Sequence, residues 1–196
     1  LIVVTGDHGE GLGDHQYLLH VLHVWDEELH VPLFVCGPGV PAKRVNEIVD
    51  LADILPTVLE SLGVSAPANE GRSLLPLIRQ DKAGLPRRFA YGQRFVSEYA
   101  IRSYLLDGTR RADPTSLRYL RSEKFKLLVP TPGSPVLFDV SEDAGETRDV
   151  AGERPELTQE YLGLSERPLE KPLPAVAPAP RLLTPEERER LRALGY

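Results

Sequence analysis

The chain opens with an uninterrupted apolar run, Leu1 to Val4, followed by a Thr-Gly pair. A short apolar run of this kind is typical of a strand that is buried on both faces of a parallel sheet. Asp7 and His8 come directly after this predicted strand. Because open α/β sheets bind ligands at the carboxyl ends of their strands, the pattern puts a carboxylate and an imidazole where a site is expected.

The apolar pattern then changes to helical spacing and predicts a helix from Tyr17 to Leu29. The residues that define its apolar face are Leu18, Leu22, Trp25 and Leu29. The acidic run at 26–28 is expected to form a solvated or salt-bridged helix end. A second strand is predicted from Leu33 to Cys36, and Cys36 is expected to be buried in it.

A further helix is predicted after residue 52. Asp53 is expected to cap its N-terminus and Gly63 to end it. The buried face is predicted to consist of Leu55, Val58, Leu59 and Leu62. An acidic residue at this point could also serve as a catalytic base, but capping alone explains Asp53.

The composition changes near residue 80, and the pattern predicts three further parts of the chain. Residues 80–90 are interpreted as a linker, and residues 91–150 as a small antiparallel sheet. Its predicted strands are 95–99, 116–121, 124–128 and 136–138. Residues 151–183 are interpreted as a proline-rich linker, and residues 184–196 as a terminal helix that begins with a capping box.

Composition narrows the class of protein. The chain has 196 residues, of which 41% are hydrophobic and 27% charged, which is typical of a globular protein with a sizeable core. The net charge of −6 argues against a nucleic-acid partner. No apolar run approaches the roughly 20 residues of a membrane span.

The residue types at the opening segment suit a metal ion. A carboxylate and an imidazole side by side, as at Asp7 and His8, can bind a divalent cation. Gly9 allows a sharp turn behind them. The alternative that Asp7 and Gly9 only form a turn stays open on these residues alone. Asp14 and His15 could also be ligands by residue type, but structural roles are expected for them.

A longer motif strengthens the metal interpretation. The run 5–15, then His20, then the run 25–33 resembles the sulfatases and the wider alkaline phosphatase superfamily, including the phosphonate monoester hydrolases. The resemblance implies that Asp7 and His8 are metal ligands. It also implies that His20, where the family has a Lys or His, contacts the sulfate or phosphoryl oxygens and is catalytic.

The resemblance implies a fold class for the chain. This is an α/β fold, a partial alkaline phosphatase-like sandwich with a mostly parallel sheet, followed by a small antiparallel C-terminal subdomain and a terminal helix. Residues 1–79 are then the C-terminal part of the α/β domain. An N-terminal half of the same protein is expected to supply the other metal carboxylates and a Cys or Ser that becomes formylglycine. Nothing in this sequence matches that segment.

The implied function is metal-dependent hydrolysis of sulfate esters by the full-length protein, with a sulfated small molecule or glycan as substrate. The expected cofactors are a divalent cation, Ca²⁺ first and Mn²⁺ or another transition ion second, and formylglycine. Hydrolysis of phosphonate or phosphate esters is the alternative within the superfamily. A second alternative is that the 196-residue chain is a non-catalytic fragment, inactive by itself. Export to the periplasm or outside the cell is weakly favoured and otherwise open.

Overall fold

The computed structural model describes residues 1–16, 18–20, 23–79, 89–94, 116–166 and 184–193. They form a first part with short strands and helices up to residue 79, and a four-stranded antiparallel sheet with a helix packed on it. None of the described helices is both long and apolar enough to span a bilayer. The division of the chain into domains stays a prediction.

The opening strand β1 (Ile2–Thr5) pairs antiparallel with β4 (Leu33–Cys36). Val35 packs against a core cluster that includes Leu75, whereas Ile2 is 65% exposed. The prediction that the opening strand is buried on both faces is therefore wrong for the described chain. All strand pairings among the described residues are antiparallel, so these residues do not form the parallel part of the expected sheet.

Cys36 is exposed, and its predicted burial is wrong. Side chains of a strand alternate between the two faces of a sheet. Cys36 therefore lies on the same face as Phe34, which is 61% exposed, and Val35 points to the packed face.

The predicted helix from Tyr17 to Leu29 is also wrong. Two short strands, β2 (Gly11–Leu12) and β3 (Leu18–Leu19), pair antiparallel, and of the described residues in 17–29 only α1 (Asp26–Leu29) is helical. Trp25 and Leu29 do pack in one cluster with Phe138, so the last turn of the pattern is real. The pairing of β3 with β2 holds residues 18–19 in an extended conformation and so overrides the helical spacing of the apolar residues.

The segment from Asp50 to Val64 forms a short 3₁₀ helix (Leu51–Asp53) followed by α2 (Ile54–Ser61). Gly63 ends α2 with φ = 69°, and the amide of Val64 donates to the carbonyl of Leu59 at 2.9 Å, which is a Schellman-type ending. The predicted glycine stop is confirmed.

The predicted buried face of α2 is partly wrong. Leu55 is 50% exposed and Leu62 is 69% exposed. Thr57 is buried instead, and its hydroxyl oxygen accepts a hydrogen bond from the amide of Leu74 at 2.8 Å. The contact joins α2 to the start of α3 (Leu75–Arg79).

The C-terminal sheet has the order β5 (Ala90–Arg94), β6 (Ser116–Arg121), β7 (Phe125–Thr131) and β8 (Val136–Asp139). The last three match predicted strands. The predicted strand 95–99 and residues 80–88 of the predicted linker lie outside the described residues. Because β5 begins at Ala90, the linker does not extend to that residue.

Two helices follow the sheet in the residues that the structure describes beyond it. The helix α4 (Pro155–Ser165) packs its Tyr161 against Phe125 and Leu127, so the prediction that all of residues 151–183 is a linker is wrong. Its proline stands at the first turn, where proline favours a helix. The terminal helix α5 (Pro185–Ala193) is observed where the capping sequence predicted one.

Candidate functional site

Asp7 and His8 lie in the loop that follows β1. The ring atom Nδ1 of His8 is 2.8 Å from the carbonyl oxygen of Gly9. When Nδ1–H donates there, Nε2 carries the free lone pair, which is the arrangement common to metal-binding histidines. The side chain of Asp7 is 80% exposed, with one carboxylate oxygen 3.8 Å from Nε2 of His8.

His20 is brought to the same place by the pairing of β2 with β3. Gly11 is opposite Leu19 in this pair, so Glu10 and His20 are neighbours at its end. The imidazole of His20 stacks on that of His8, with 3.8 Å between ring centroids. Its Nδ1 is 2.9 Å from a carboxylate oxygen of Glu10, which orients Nε2 in turn.

The described residues include one cluster that could hold a cation, formed by His8, Glu10 and His20. Each offers a nitrogen or oxygen ligand, and these atoms lie within 4.8 Å of one another. The donor set fits a divalent cation, and its imidazole nitrogens suit a transition ion better than the hard ion Ca²⁺. Asp7 lies next to this cluster but outside it.

The structure thus brings the predicted residues His8 and His20 together and adds Glu10, which the sequence analysis missed. A signal for Glu10 was available, since it is an acidic residue close after His8 in a motif already assigned to a metal. The ligand and catalytic roles of Asp7, His8 and His20 stay predictions.

Helix α1 supports the loop that carries the cluster. The amide of Gly9 donates to the carbonyl of Glu28 at 2.7 Å, and the amide of Glu10 donates to that of Glu27 at 3.1 Å. A Cβ on Gly9 would lie 1.9 Å from the carbonyl oxygen of Glu27. Only glycine therefore allows the loop to lie this close to the helix.

Of the two predicted alternatives for the acidic residues of α1, a solvated helix end is wrong. Asp26 forms ion pairs with Lys126 at 2.8 Å and with Arg121 at 3.0 Å. Burial alone would raise the pKa of Asp26, but the charges and hydrogen bonds of Lys126 and Arg121 hold that pKa below its usual value.

Glu27 pairs with His15 at 2.8 Å, so the salt-bridged alternative fits both Asp26 and Glu27. Glu28 is buried instead, and burial, followed by the charge of Glu27, raises the pKa of its carboxyl. The ring of His15 also stacks on Trp25 at 4.0 Å, which agrees with the structural role expected for it.

Two other acidic positions have structural contacts. Glu146 is buried, and burial raises the pKa of its carboxyl despite the charge of Lys126. The carboxylate of Asp53 accepts from the amides of Asp50 and Arg72. Asp53 thus completes the capping box of the 3₁₀ helix, and its predicted side-chain cap on α2 is wrong.

Comparison with known proteins identifies the family. The Sulfatase family model matches residues 1–64. Arylsulfatase K from Bos taurus is 30% identical over 164 residues, which cover 81% of this chain and 28% of that protein. The chain belongs to the sulfatase family of the alkaline phosphatase-like superfamily.

Solved structures of sulfatase relatives confirm the predicted α/β fold class. The 2-O GAG sulfatase BT1596 superposes with a TM-score of 0.70 at 24% identity, over 83% of this chain and 34% of that one. The phosphonate monoester hydrolase of Agrobacterium radiobacter gives a TM-score of 0.68 at 25% identity, over 83% of this chain and 33% of that one. The chain spans less than a third of the length of the curated arylsulfatase relatives.

Proposed function

We propose that the complete encoded protein hydrolyses sulfate esters with a divalent cation, and that this chain supplies Asp7 and His8 as cation ligands and His20 as a catalytic residue. The observation that supports this most directly is the cluster of His8, Glu10 and His20 beside Asp7. The 30% identity to an arylsulfatase supports a sulfate ester as substrate. A sulfated small molecule or glycan is the proposed substrate class.

The hydrogen bonds of the two histidines suit different roles. His8 donates from Nδ1 to a carbonyl, which leaves Nε2 as a neutral nitrogen ligand. His20 has a carboxylate oxygen of Glu10 next to Nδ1, which holds the ring so that Nε2 can face a substrate. Protonated His20 would donate from Nε2 to an ester oxygen, where negative charge develops as the bond to the alcohol breaks, and then pass a proton to the leaving oxygen.

A bound cation would add charge neutralisation at the ester oxygens. Calcium is the ion expected from the family resemblance, and Mn²⁺ or another transition ion is the alternative that the imidazole donors favour. Formylglycine, the expected nucleophile, would come from residues that are not in this sequence. The N-terminal half of the same protein is therefore the proposed partner of this chain.

A second function has support of its own. The structural similarity to a phosphonate monoester hydrolase is nearly as high as that to the sulfatase, with TM-scores of 0.68 and 0.70. A cation, an imidazolium and anionic ester oxygens would serve phosphonate or phosphate ester hydrolysis equally well. The third possibility, a chain that is non-catalytic by itself, rests on the absence of a nucleophile motif from this sequence.

A paired assay distinguishes these functions. The complete encoded protein is purified, its metal content is measured by elemental analysis, and it is offered an aryl sulfate and an aryl phosphonate monoester. Faster turnover of the sulfate, together with a bound divalent cation, is the expected result. Turnover of the phosphonate alone would favour the alternative, and turnover of neither ester would contradict both hydrolase proposals.

A further inference from the structure

Lys126 is a fully buried cation in the middle of the C-terminal sheet. Its side chain is 0% exposed, and its ammonium nitrogen lies 2.8 Å from Asp26 and 2.7 Å from Glu146. Lysine is almost never buried unless it is paired, since an unpaired ammonium group loses its hydration. The two carboxylates therefore account for its burial.

The carboxylates of Asp26 and Glu146 both lie at the start of α1. Asp26 is the first residue of that helix, and its backbone amide donates to the second carboxylate oxygen of Glu146 at 2.7 Å. Arg121, on the neighbouring strand β6, binds the other carboxylate oxygen of Asp26. The C-terminal residues Lys126, Glu146 and Arg121 thus hold the first turn of α1. Lys126 links the carboxylate of Glu146 to that of Asp26.

Helix α1 in turn determines where the candidate metal loop lies. Its carbonyls at Glu27 and Glu28 accept the amides of Glu10 and Gly9. The loop cannot move closer to the helix, because the α-carbon of Gly9 already leaves no room for a side chain. A displacement of α1 would therefore move His8 and Glu10 with the loop.

We propose that Lys126 is a positioning residue for the candidate metal site: it holds α1 through Asp26 and Glu146, and α1 holds the loop with His8 and Glu10. A well-packed apolar group in place of a buried ion pair is often at least as stable, so stability alone does not explain a buried charge network. Fixed geometry does explain it, because each carboxylate contacts defined donors. The effect on the cation and on turnover rests on the proposed function, whereas the effect on the loop does not.

Hydrogen exchange tests this inference without any metal. In the complete encoded protein, exchange is followed by mass spectrometry in peptides over residues 6–10 and over 59–66, which contains the bonded amide of Val64 as a reference. Lys126→Met is expected to lower the protection of the loop peptide relative to the reference by about tenfold, since local opening would no longer be opposed. An unchanged ratio would overturn the inference.

The matched control is Leu127→Ala. Leu127 is also fully buried. As the next residue of the strand after Lys126, it points to the opposite face of the sheet and packs in the core with Tyr161. Its truncation should lower the midpoint of thermal unfolding, because it leaves a cavity in the core. The relative protection of the loop should not change. An equal fall in both variants would mean that Lys126 only stabilises the fold, which would overturn the positioning role.

Glu146→Gln provides a test if Lys126→Met does not fold. The glutamine keeps the size of the side chain and an acceptor for the backbone amide of Asp26, but it removes one of the two negative charges that pair with Lys126. Relative protection of the loop should fall by a smaller factor than in Lys126→Met. No change in this variant would again contradict the inference.

Cation binding separates this inference from the proposed function. Titration of the apoprotein with Mn²⁺ and Ca²⁺ should show weaker binding in Lys126→Met and unchanged binding in Leu127→Ala. If the wild-type protein binds neither ion, the proposed function fails, and the exchange ratio still decides the role of Lys126. If wild-type and Lys126→Met bind equally and exchange equally, only the positioning role fails.

Discussion

The imidazole rings of His8 and His20 lie face to face, with 3.8 Å between their centroids and 26° between their planes. Each ring has its Nδ1 engaged by a neighbouring oxygen, from the carbonyl of Gly9 and from the carboxylate of Glu10. Two Nε2 atoms are thereby available on adjacent rings. Which of them binds a cation and which contacts the substrate can be separated by mutation.

His20→Ala should lower the turnover number of the complete encoded protein by about 10²–10³-fold, the usual effect of removing one donor to a developing negative charge. The content of divalent cation should not change. His30→Ala is the control, because His30 is exposed and is not in the cluster. Loss of the cation in His20→Ala would mean that His20 is a ligand. Unchanged turnover would mean that His20 has only a packing role.

Asp7→Ala should lose bound cation and turnover together, because a carboxylate ligand supplies both an oxygen donor and negative charge to the cation. Elemental analysis and an ester hydrolysis assay on the same preparation measure both effects. Asp14→Ala removes another exposed carboxylate from the same loop region and should retain both. Full metal occupancy in Asp7→Ala would contradict the ligand assignment and favour the cluster of His8, Glu10 and His20 alone.

Gly9→Ala should destabilise the protein and weaken cation binding, since its new Cβ would lie 1.9 Å from the carbonyl oxygen of Glu27. Forcing extra volume into a packed contact costs about 1–3 kcal/mol. The midpoint of thermal unfolding should fall by several degrees, roughly as expected for that energy. Gly152→Ala meets no atom within 4 Å and should leave the midpoint nearly unchanged. Equal midpoints for the two variants would show that the loop can move away from α1.

Glu28→Gln should stabilise the protein at pH 7 and not at pH 4. Burial, and then the charge of Glu27, raises the folded-state pKa of Glu28 above its usual value of 4.5. The folded state therefore binds this proton more tightly than the unfolded state. The stability that this proton contributes is full below pH 4.5 and is lost as the pH rises through the folded-state pKa.

The measurement is the difference in thermal midpoint between Glu28→Gln and wild-type protein at the two pH values. A gain of about 1–3 °C at pH 7 that disappears at pH 4 would fit a change near 1 kcal/mol. Glu60→Gln, at an exposed position, is the control and should give the same small difference at both pH values. A gain of equal size at both pH values would exclude the titration of Glu28 as its cause.

Features that depend on neighbouring residues in the sequence were predictable. The Schellman-type ending at Gly63 and the start of the last helix at Pro185 follow from the conformations that glycine and proline prefer. The strand β6 was predicted with its observed bounds, because alternating apolar residues favour a strand in any context. The location of Asp7 and His8 directly after β1 was also predictable.

Features that depend on distant residues were not. The helical spacing of Leu18, Leu22, Trp25 and Leu29 predicted a long helix. In the part of that segment that the structure describes, only Asp26–Leu29 is helical, and the pairing of β2 with β3 precedes it. The helix α4 was missed because it lies between polar and proline-rich segments, and its burial comes from contacts with the sheet. Tertiary contacts overrode a weak local preference in both cases.

The sequence by itself determined the family, the motif with Asp7, His8 and His20, and the local chemistry of the turns and helix ends, because these depend on residue type and short spacing. Only the tertiary structure decided that Glu10 joins the two histidines and that Lys126 reaches Asp26 and Glu146. The physical reason is that these contacts depend on which strands pair and on which buried charges meet across the fold. No local pattern in the sequence encodes which distant partner that is.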